Sequence, residues 1–429
     1  MYQTAHGSVS GSYKVTYPFM KKILFLNDTT DHDNWGSVAN AEWLKAIIQD
    51  TIPGVTFNSV LSHWTTDRFY QLPWWLGSGI ENRKRKIISH FSKPFSFLPV
   101  VADDFERVAD EWCAGRGGPF AQEYISKLNQ SDAVVFNAEG STYKNNVSAV
   151  RCLFAIWLTV TRFKKPAFFT NGSVTLTYVL PVLNAMVQRT FREITGVSVR
   201  EPCSLETVQK WAPDVKAAMY PDSVFYSATK DKTIYISDDF LNRLKNKKYF
   251  CFSLSMLNTR IRGYNNAGIE TTALYDLIKS LQKLVPVAVL MAKDGLDLPI
   301  MRDLARSTGS LFFGPEHHYT TLVPLFQNAQ FMISGRYHHL IMAANSGCPA
   351  IPLRTTSHKI DGLCRLLYPL IGEPFDPTWL RPELDKITDI ARDAMAAGDD
   401  LRCRLRDKSV ECGKMAAGAG EMIRKGIAN

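Results

Sequence analysis

The sequence has little that would place it in or across a membrane. Its longest apolar run, CLFAIWLTVT at 152–161, is about half the length that a helix needs to span a bilayer. Residues 1–20 are polar and turn-rich, and they contain no hydrophobic segment of a secretory signal peptide. We expect them to form a flexible tail on a globular protein.

Cysteine pairs with metal or redox spacing are also missing. Eight cysteines are present, but none of them forms a CxxC pair. Several lie inside apolar runs, such as Cys251 in YFCFSL, which is typical of reduced core cysteines in a cytosolic protein. We therefore predict no metal site, no cofactor and a cytoplasmic location.

Nucleotide and nucleic-acid signatures are absent as well. The sequence contains neither GxGxxG nor GxxxxGK[ST], so phosphate-loop and dinucleotide sites are not indicated. The formal net charge is +9, yet the densest basic run is the short NRKRK at 82–86. No nucleic-acid module or basic stripe appears, so we predict an anionic small molecule or an anionic membrane surface as the partner.

What the sequence does contain is a series of short apolar runs alternating with helical patterns. The runs are continuously apolar, as expected for strands of a parallel sheet buried on both faces. Strands alternating with helices predict an α/β fold with helices on both faces of parallel sheets. The predicted strands lie in the following segments: 21–28, 131–141, 164–173, 195–204, 248–255, 285–295, 310–314, 329–335 and 348–353.

The chain is too long for one ordinary core, and we predict two Rossmann-like, doubly wound domains that face each other across a cleft. A tail at 1–20 precedes a first domain at 21–228, a second domain follows at 229–380, and a helical region occupies 381–429. The last region contains AAGAG, which we expect to weaken any helix there.

The first domain carries an insertion near 64–100 that is rich in tryptophan and basic residues, including Trp64, Trp74 and Trp75. Tryptophan beside lysine and arginine suits a membrane interface or a platform on which sugars stack. An ordinary insertion with buried tryptophans is the alternative.

The most informative segment is MISGRYHHLIMAANSGCPAI, residues 332–351. A strand ends at Gly335, and a helix is predicted from Tyr337, so Arg336, His338 and His339 lie where a strand end meets a helix N-terminus. Such a position favours an anion, arginine suits phosphate or carboxylate, and histidine can transfer a proton near neutral pH. The alternative is that one histidine is a core residue and that the arginine pairs with a carboxylate.

Other polar residues follow the remaining predicted strands, where ligands bind in open α/β sheets. Arg200 comes after one strand as a candidate anion ligand or a partner of Glu201, and Arg260 and Arg262 come after another as anion ligands or solvated loop charges. Glu139, in FNAEGSTY, is placed to accept a proton from a hydroxyl or to cap a turn.

The turn after the first strand contains Asn34, Gly36 and Ser37. These residues could contact a ligand, or Asn34 or Ser37 could simply cap the helix that follows.

Taken in order, these segments resemble the polysaccharide pyruvyl transferase family. The resemblance covers residues 22–367 and rests on several short motifs. They are Asn34-Trp35-Gly36, the strand and turn from Asp132 to Gly140, Arg200-Glu201-Pro202-Cys203-Ser204, Asp222-Ser223-Val224-Phe225, Gly335-Arg336-Tyr337-His338, Gly347-Cys348-Pro349 and Lys359. Two residues depart from the family pattern: Ala138 stands where glycine is usual, and His339 where a small residue is usual.

The resemblance implies a GT-B type enzyme that moves the pyruvyl group of phosphoenolpyruvate onto two hydroxyls of a sugar as a cyclic ketal. The first domain would bind the acceptor and the second the donor. The implied site assigns His338 as the acid and Glu139 as the base. The remaining predicted residues are Arg336, Arg200, His339, Arg260, Arg262 and Lys359 for the donor, and Asn34, Gly36, Ser37, Asn137 and Ser141 for the acceptor.

The acceptor would be a sugar or a lipid-linked oligosaccharide, with peripheral association at the inner membrane face left open. Two alternatives stay open on the same fold. One is a nucleotide-sugar glycosyltransferase, in which the Arg336 cluster would hold a diphosphate. The other is an inactive protein that binds anions or glycans, because fold alone does not fix the reaction.

Overall fold

The computed structural model describes residues 21–62, 98–99, 101–140, 147–176, 181–230, 238–255, 271–293, 297–355 and 357–428. Several predictions concern residues outside these ranges: the tail at 1–20, nearly all of the insertion near 64–100, and the site residues Ser141, Arg260 and Arg262.

The first half of the chain forms a six-stranded parallel sheet with the strand order β2-β1-β3-β4-β5-β6. Its strands are β1 (Lys22–Asp28), β2 (Thr56–Leu61), β3 (Ala133–Asn137), β4 (Ala167–Gly172), β5 (Gly196–Val199) and β6 (Ala217–Met219). The central strands β3 and β4 are buried along their whole length, which explains their continuous apolar sequences.

The second half forms a five-stranded parallel sheet with the order β11-β10-β7-β8-β9. Its strands are β7 (Tyr249–Ser253), β8 (Val287–Met291), β9 (Leu311–Phe313), β10 (Met332–Ser334) and β11 (Ala350–Pro352). In both sheets the strand order reverses at an inner strand, as the prediction of doubly wound sheets requires. The predicted α/β fold with two parallel sheets is confirmed.

Helices connect the strands and cover the sheets. They are α1 (Trp35–Thr51), α2 (Phe105–Cys113), α3 (Gly118–Asn129), α4 (Val147–Thr161), α5 (Pro181–Glu193), α6 (Pro202–Trp211), α7 (Asp239–Leu244), α8 (Thr271–Leu284), α9 (Leu298–Thr308), α10 (Leu322–Asn328), α11 (Tyr337–Asn345), α12 (Lys359–Leu367), α13 (Leu384–Ala396), α14 (Gly398–Ala416) and α15 (Gly418–Ala428).

The C-terminal region is helical, as predicted, and its helix is interrupted within the AAGAG segment. α14 ends at Ala416 and α15 begins at Gly418. A Cβ atom on Gly418 would come within 2.3 Å of the Tyr220 ring, and one on Gly420 within 2.3 Å of the Thr51 hydroxyl. The glycines therefore let α15 approach the first sheet closely, and Ile423 of α15 lies in the core of that sheet.

The carboxyl ends of the strands in the two sheets face each other at the junction between the two halves of the molecule. α1 begins just after β1 and α11 just after β10, and the two helices touch near their N-termini. Trp35 of α1 is buried in the core of the second half, and its indole N–H donates to the carbonyl oxygen of His317 at 2.8 Å. Ligands of open parallel sheets bind at such carboxyl ends, so this junction is the place to look for a site.

Candidate functional site

The junction brings Gly36 of α1 against His338 of α11. A Cβ atom at position 36 would lie 2.2 Å from Nδ1 of His338, so only glycine leaves room for the histidine. Trp35 precedes this glycine and Tyr337 precedes the histidine, and both aromatic side chains are buried. The two halves of the molecule thus hold the His338 imidazole between them.

Asp222 is the nearest charged partner of His338. Nε2 of His338 lies 3.4 Å from Oδ2 of Asp222, and this oxygen accepts hydrogen bonds from Arg200 at 2.9 Å and Asn40 at 3.0 Å. Burial alone would raise the pKa of Asp222, but His338, Arg200 and the backbone N–H of Val224 outweigh it and lower that pKa to about 2. Asp222 is therefore ionised at neutral pH.

Arg200 follows β5 and is completely buried. Besides its bond to Asp222, its Nε donates to the Ser173 hydroxyl at 2.9 Å, and its guanidinium lies 4.3 Å from the centroid of the Tyr337 ring. The arginine therefore bridges the first sheet to the helix that carries His338. It supplies positive charge to the site from behind the surface.

Glu139 lies just past β3 in the left-handed backbone region, with φ of 35°. Its backbone carbonyl accepts a bond from the Ser173 N–H at 3.2 Å, which fixes the turn. Burial would raise the pKa of its carboxyl, but His338, Arg200, Lys359 and the Gly140 N–H outweigh burial and hold that pKa below its usual range. The acid and base predicted from the sequence thus lie within one electrostatic neighbourhood.

Lys359 is the first residue of α12 and reaches this neighbourhood from the second sheet. It is partly exposed, in contrast to the buried Arg200. The positive charges acting on Glu139 therefore come from both halves of the protein, and Lys359 is the one placed at the surface.

A second contact between a histidine and a carboxylate joins the two halves of the molecule near the contact of His338 with Asp222. The buried Glu201 caps α6 by accepting from the Ser204 N–H at 2.8 Å, and Nε2 of His358 lies 3.6 Å from its carboxylate. Burial would raise the pKa of Glu201, but the hydrogen bonds from His358 and Ser204 hold it below its usual range. Glu201 also fills the space that a side chain at Gly362 would need.

Asparagine side chains line the floor of the site on the first sheet. The Asn137 carbonyl accepts from Asn27 at 2.8 Å, and its side-chain oxygen lies 3.4 Å from Nδ2 of Asn171. Among the residues that the structure describes, none accepts a hydrogen bond from the buried Nδ2 of Asn137. This donor is consistent with the predicted contact to an acceptor hydroxyl, a role that stays a prediction.

The other predicted donor residues, Arg336 and His339, have protein partners. Arg336 forms an ion pair with Asp297, and its Nε donates to the Leu254 carbonyl at 3.1 Å. Nδ1 of His339 lies 2.9 Å from the Ser253 hydroxyl, and its ring packs 5.7 Å from that of Trp35. Adjacent positions on a helix point in different directions, which explains why His338 and His339 have different surroundings. Their donor roles stay predictions.

The turn residues predicted to hold the acceptor begin α1. The Asn34 side chain accepts from the N–H groups of Gly36 at 2.9 Å and Ser37 at 3.3 Å, which is the capping alternative considered above. Ser37 is buried, and its carbonyl accepts from the Thr29 hydroxyl at 2.6 Å. Asn34 and Ser37 thus position the helix on which Gly36 meets His338.

Sequence reasoning recognised the motif around Asp222 but assigned it no role, and it overlooked Asn40 and His358. In the described ranges, no group of three histidine, cysteine or acidic residues is arranged to hold a metal ion. Within the same ranges no helix combines the length and apolar character needed to cross a bilayer.

The architecture is similar to that of several solved structures. A trehalose 6-phosphate synthase from Burkholderia multivorans matches 96% of this chain and 100% of its own, with a TM-score of 0.55 and 11% identity. A UDP-GlcNAc 2-epimerase from Neisseria meningitidis, bound to UDP-GlcNAc, matches 94% and 100%, with a TM-score of 0.51 and 12% identity. No curated protein matches the sequence significantly.

The fold is therefore of the GT-B type, with a helical C-terminal region and a site between two Rossmann-like sheets. The family model for polysaccharide pyruvyl transferases matches residues 34–357, which is most of the chain. The protein belongs to the polysaccharide pyruvyl transferase family. Its departure at Ala138 is accommodated opposite Gly172, where an added Cβ would lie 2.6 Å from that of Ala138.

Proposed function

We propose that this protein transfers the pyruvyl group of phosphoenolpyruvate onto two hydroxyls of a sugar in a glycan, forming a cyclic ketal without a further cofactor. The family supports a transferase with a polysaccharide acceptor. The observation that carries the finer proposal is the electrostatic convergence of Glu139, from the first sheet, with His338 and Lys359, from the second.

The donor has two anionic groups, a phosphate and a carboxylate, and Lys359 and Arg200 are the positive groups that the site offers them. Lys359 is the direct ligand in this proposal because it is partly exposed and begins a helix, whose N-terminus also favours anions. Arg200 is fully buried and bonded to Asp222 and Ser173, so it acts through its charge. Arg336 and His339 shape the wall of the second sheet, with Asp297 and Ser253 as their partners.

In this proposal His338 is the general acid. It protonates the methylene carbon of phosphoenolpyruvate while a sugar hydroxyl adds to the neighbouring carbon and gives its proton to Glu139. The ionised Asp222 lies 3.4 Å from the imidazole and orients it. The lowered pKa of Glu139 keeps that carboxylate unprotonated and ready to accept the proton.

The bond from the substituted carbon to phosphate then breaks, and the phosphate leaves with the proton that Glu139 had accepted. The second hydroxyl attacks the same carbon and closes the ketal ring, and its proton restores His338. Atoms and charges balance: one donor and two hydroxyls give one ketal and one inorganic phosphate. Positive charge and helix N-termini at the site stabilise the departing phosphate.

We also assign the protein to the cytoplasm. All eight cysteines are free thiols, and five of them are buried. Burial raises the pKa of Cys152 and Cys348 to about 12, so these thiols stay protonated and unreactive at neutral pH. Free, buried thiols suit a reducing compartment.

The test is calorimetric titration of the whole protein with phosphoenolpyruvate and, separately, with UDP and UDP-GlcNAc. We expect phosphoenolpyruvate to bind, and its affinity to fall about tenfold or more in Lys359→Ala, which removes a charge-assisted contact. Lys230→Ala is the matched control, because Lys230 is an exposed lysine that pairs with Asp50 at 2.6 Å. It should leave the affinity unchanged.

The glycosyltransferase alternative predicts the reverse pattern, because its site would hold a diphosphate. Binding of UDP or UDP-GlcNAc without any response to phosphoenolpyruvate would establish that alternative and end the pyruvyl proposal. Binding of phosphoenolpyruvate without phosphate release, across a set of glycan acceptors, would instead indicate an inactive binding protein.

A further inference from the structure

Two adjoining cavities open on the surface of the second half, at the edge strand β11. Their volumes are about 490 Å³ and 460 Å³, and both are lined by Arg354 and by Gly372, Glu373 and Pro374. Trp379 lines the first cavity and Tyr368 the second. We call this continuous feature, from Trp379 to Tyr368, the outer groove.

The outer groove contains the most exposed large apolar side chains of the described residues. Tyr368 is 74% exposed and Trp379 is 68% exposed, whereas no other such side chain in the described ranges exceeds 39%. Ile390, which also lines the groove, is a third member of this small group. Aromatic surfaces left open on a folded protein mark binding sites, and Trp and Tyr offer rigid apolar faces with a polar edge.

The charged side chains that line the groove are of both signs, and some of them pair with each other. Nε of Arg354 donates to Asp361 at 3.2 Å, and the Lys386 ammonium lies 3.8 Å from Glu383. This pairing differs from the cleft, where Lys359 and Arg200 bring positive charge toward one carboxylate. An anionic ligand thus has no net attraction to the groove, but groups that both donate and accept hydrogen bonds do.

The helix α12 connects the groove to the cleft. Its first residue, Lys359, acts on Glu139, while Asp361, Cys364 and Tyr368 line the groove at helical spacing. Nine helical residues span about 13 Å at 1.5 Å per residue. A glycan chain whose reacting sugar occupied the cleft would have further sugars within reach of the groove.

We infer that the outer groove is a second glycan subsite, which holds an uncharged stretch of the polysaccharide acceptor with Tyr368 and Trp379 as stacking faces. This inference rests on the proposed function, because the groove extends the acceptor site of the same reaction. The hydroxyls of the sugars would form hydrogen bonds with the polar side chains of the groove. The apolar faces of the sugar rings would stack on Tyr368 and Trp379.

The test is affinity electrophoresis of the full chain in native gels that contain dextran or galactomannan, two neutral polysaccharides of different sugars. We expect at least one of them to retard the wild-type protein. Trp379→Ala and Tyr368→Ala should each weaken that binding about tenfold, as expected when an aromatic anchor is truncated. Tyr275→Ala is the matched control, since Tyr275 is an exposed tyrosine on α8 that lines neither cavity of the groove.

Three results would overturn the inference: no retardation by either polysaccharide, equal retardation of the Trp379→Ala variant, or a dimer in sedimentation that Trp379→Ala dissociates. The last result would identify the groove as a contact between two copies of the chain. Titration with phosphoenolpyruvate separates this inference from the proposed function. Trp379→Ala and Tyr368→Ala should keep the wild-type donor affinity, while Lys359→Ala should lose donor affinity and keep polysaccharide retardation.

Discussion

In each sheet, one strand is followed by an arginine that pairs with an aspartate. The two ion pairs have different surroundings. Arg200 and Asp222 are both completely buried, and Asp222 also contacts His338 across the junction. Arg336 keeps 16% of its side chain exposed, and its partner Asp297 lies within the same half of the chain. The first pair therefore couples the two halves of the site, and the second supports one wall.

This comparison shows why an arginine at a strand end is not sufficient to define an anion site. Arg200 and Arg336 follow their strands in the same way, and the sequence predicts donor contacts for both. In each case a carboxylate neutralises much of the charge, so the chemistry depends on what else that carboxylate contacts. Asp222 contacts His338, and this contact makes the pair part of the proposed proton-transfer site.

The largest effect should come from the adjacent histidines. His338→Gln should slow phosphate release from phosphoenolpyruvate, measured with a glycan acceptor, by about 10²- to 10⁴-fold, because it removes the general acid. Binding of phosphoenolpyruvate should persist. His339→Gln is the control from the neighbouring position: it alters the contact with Ser253 and should retain most of the rate. A reversed ranking of the two variants would assign the acid to His339.

The two aspartates provide the next comparison, in stability. Asp222→Asn leaves the fully buried Arg200 without its counter-charge, and it should lower the free energy of unfolding by about 3–5 kcal/mol. Asp297→Asn should cost on the order of 1–3 kcal/mol, because the partly exposed Arg336 can still be hydrated. Urea unfolding of both variants measures the difference. Equal losses would contradict the distinction between the pairs.

Much of the fold follows from local sequence. The central strands are continuously apolar, and this property alone indicates a parallel sheet buried on both faces. The sequence pattern does not predict the two edge strands of the first sheet, β2 (TFNSVL) and β6 (AAM). The first carries polar residues, and the second is only three residues long. The packing of α15 against the first sheet also escapes, since it depends on contacts with residues far away in the sequence.

The site is predictable in position but only partly in its pairings. The rule that ligands bind at strand carboxyl ends singles out Glu139, Arg200 and His338, and the structure brings them together. The aspartates that pair with the two arginines could not be predicted in this way. Asp222 lies 22 residues after Arg200, and Asp297 lies 39 residues before Arg336. No periodicity relates such residues, so only the three-dimensional structure joins them.

A smaller perturbation tests the close approach at the junction. The Cβ atom of Gly36→Ala would lie 2.2 Å from Nδ1 of His338, so the imidazole must leave the position in which it lies 3.4 Å from Asp222. We expect phosphate release to fall on the order of 10²-fold, because a shift of about 1 Å is enough to misplace a catalytic group. Gly426→Ala is the control, since its Cβ would crowd the Phe168 ring in the core of the first sheet, 2.6 Å away, and not the site. An unchanged rate in Gly36→Ala would remove His338 from the reaction.

The smallest effect is the dependence of stability on pH. The pKa of Asp222 is lowered from 3.8 to about 2 in the folded protein, so its ionised form contributes stability above pH 4 that is lost as the pH falls toward 2. A shift of this size corresponds to on the order of 2 kcal/mol. Urea unfolding between pH 5 and pH 3 should therefore show a shallower decline for Asp222→Asn than for the wild type. Parallel declines would mean that Asp222 titrates alike in both states, and that its contacts with His338 and Arg200 do not stabilise its carboxylate.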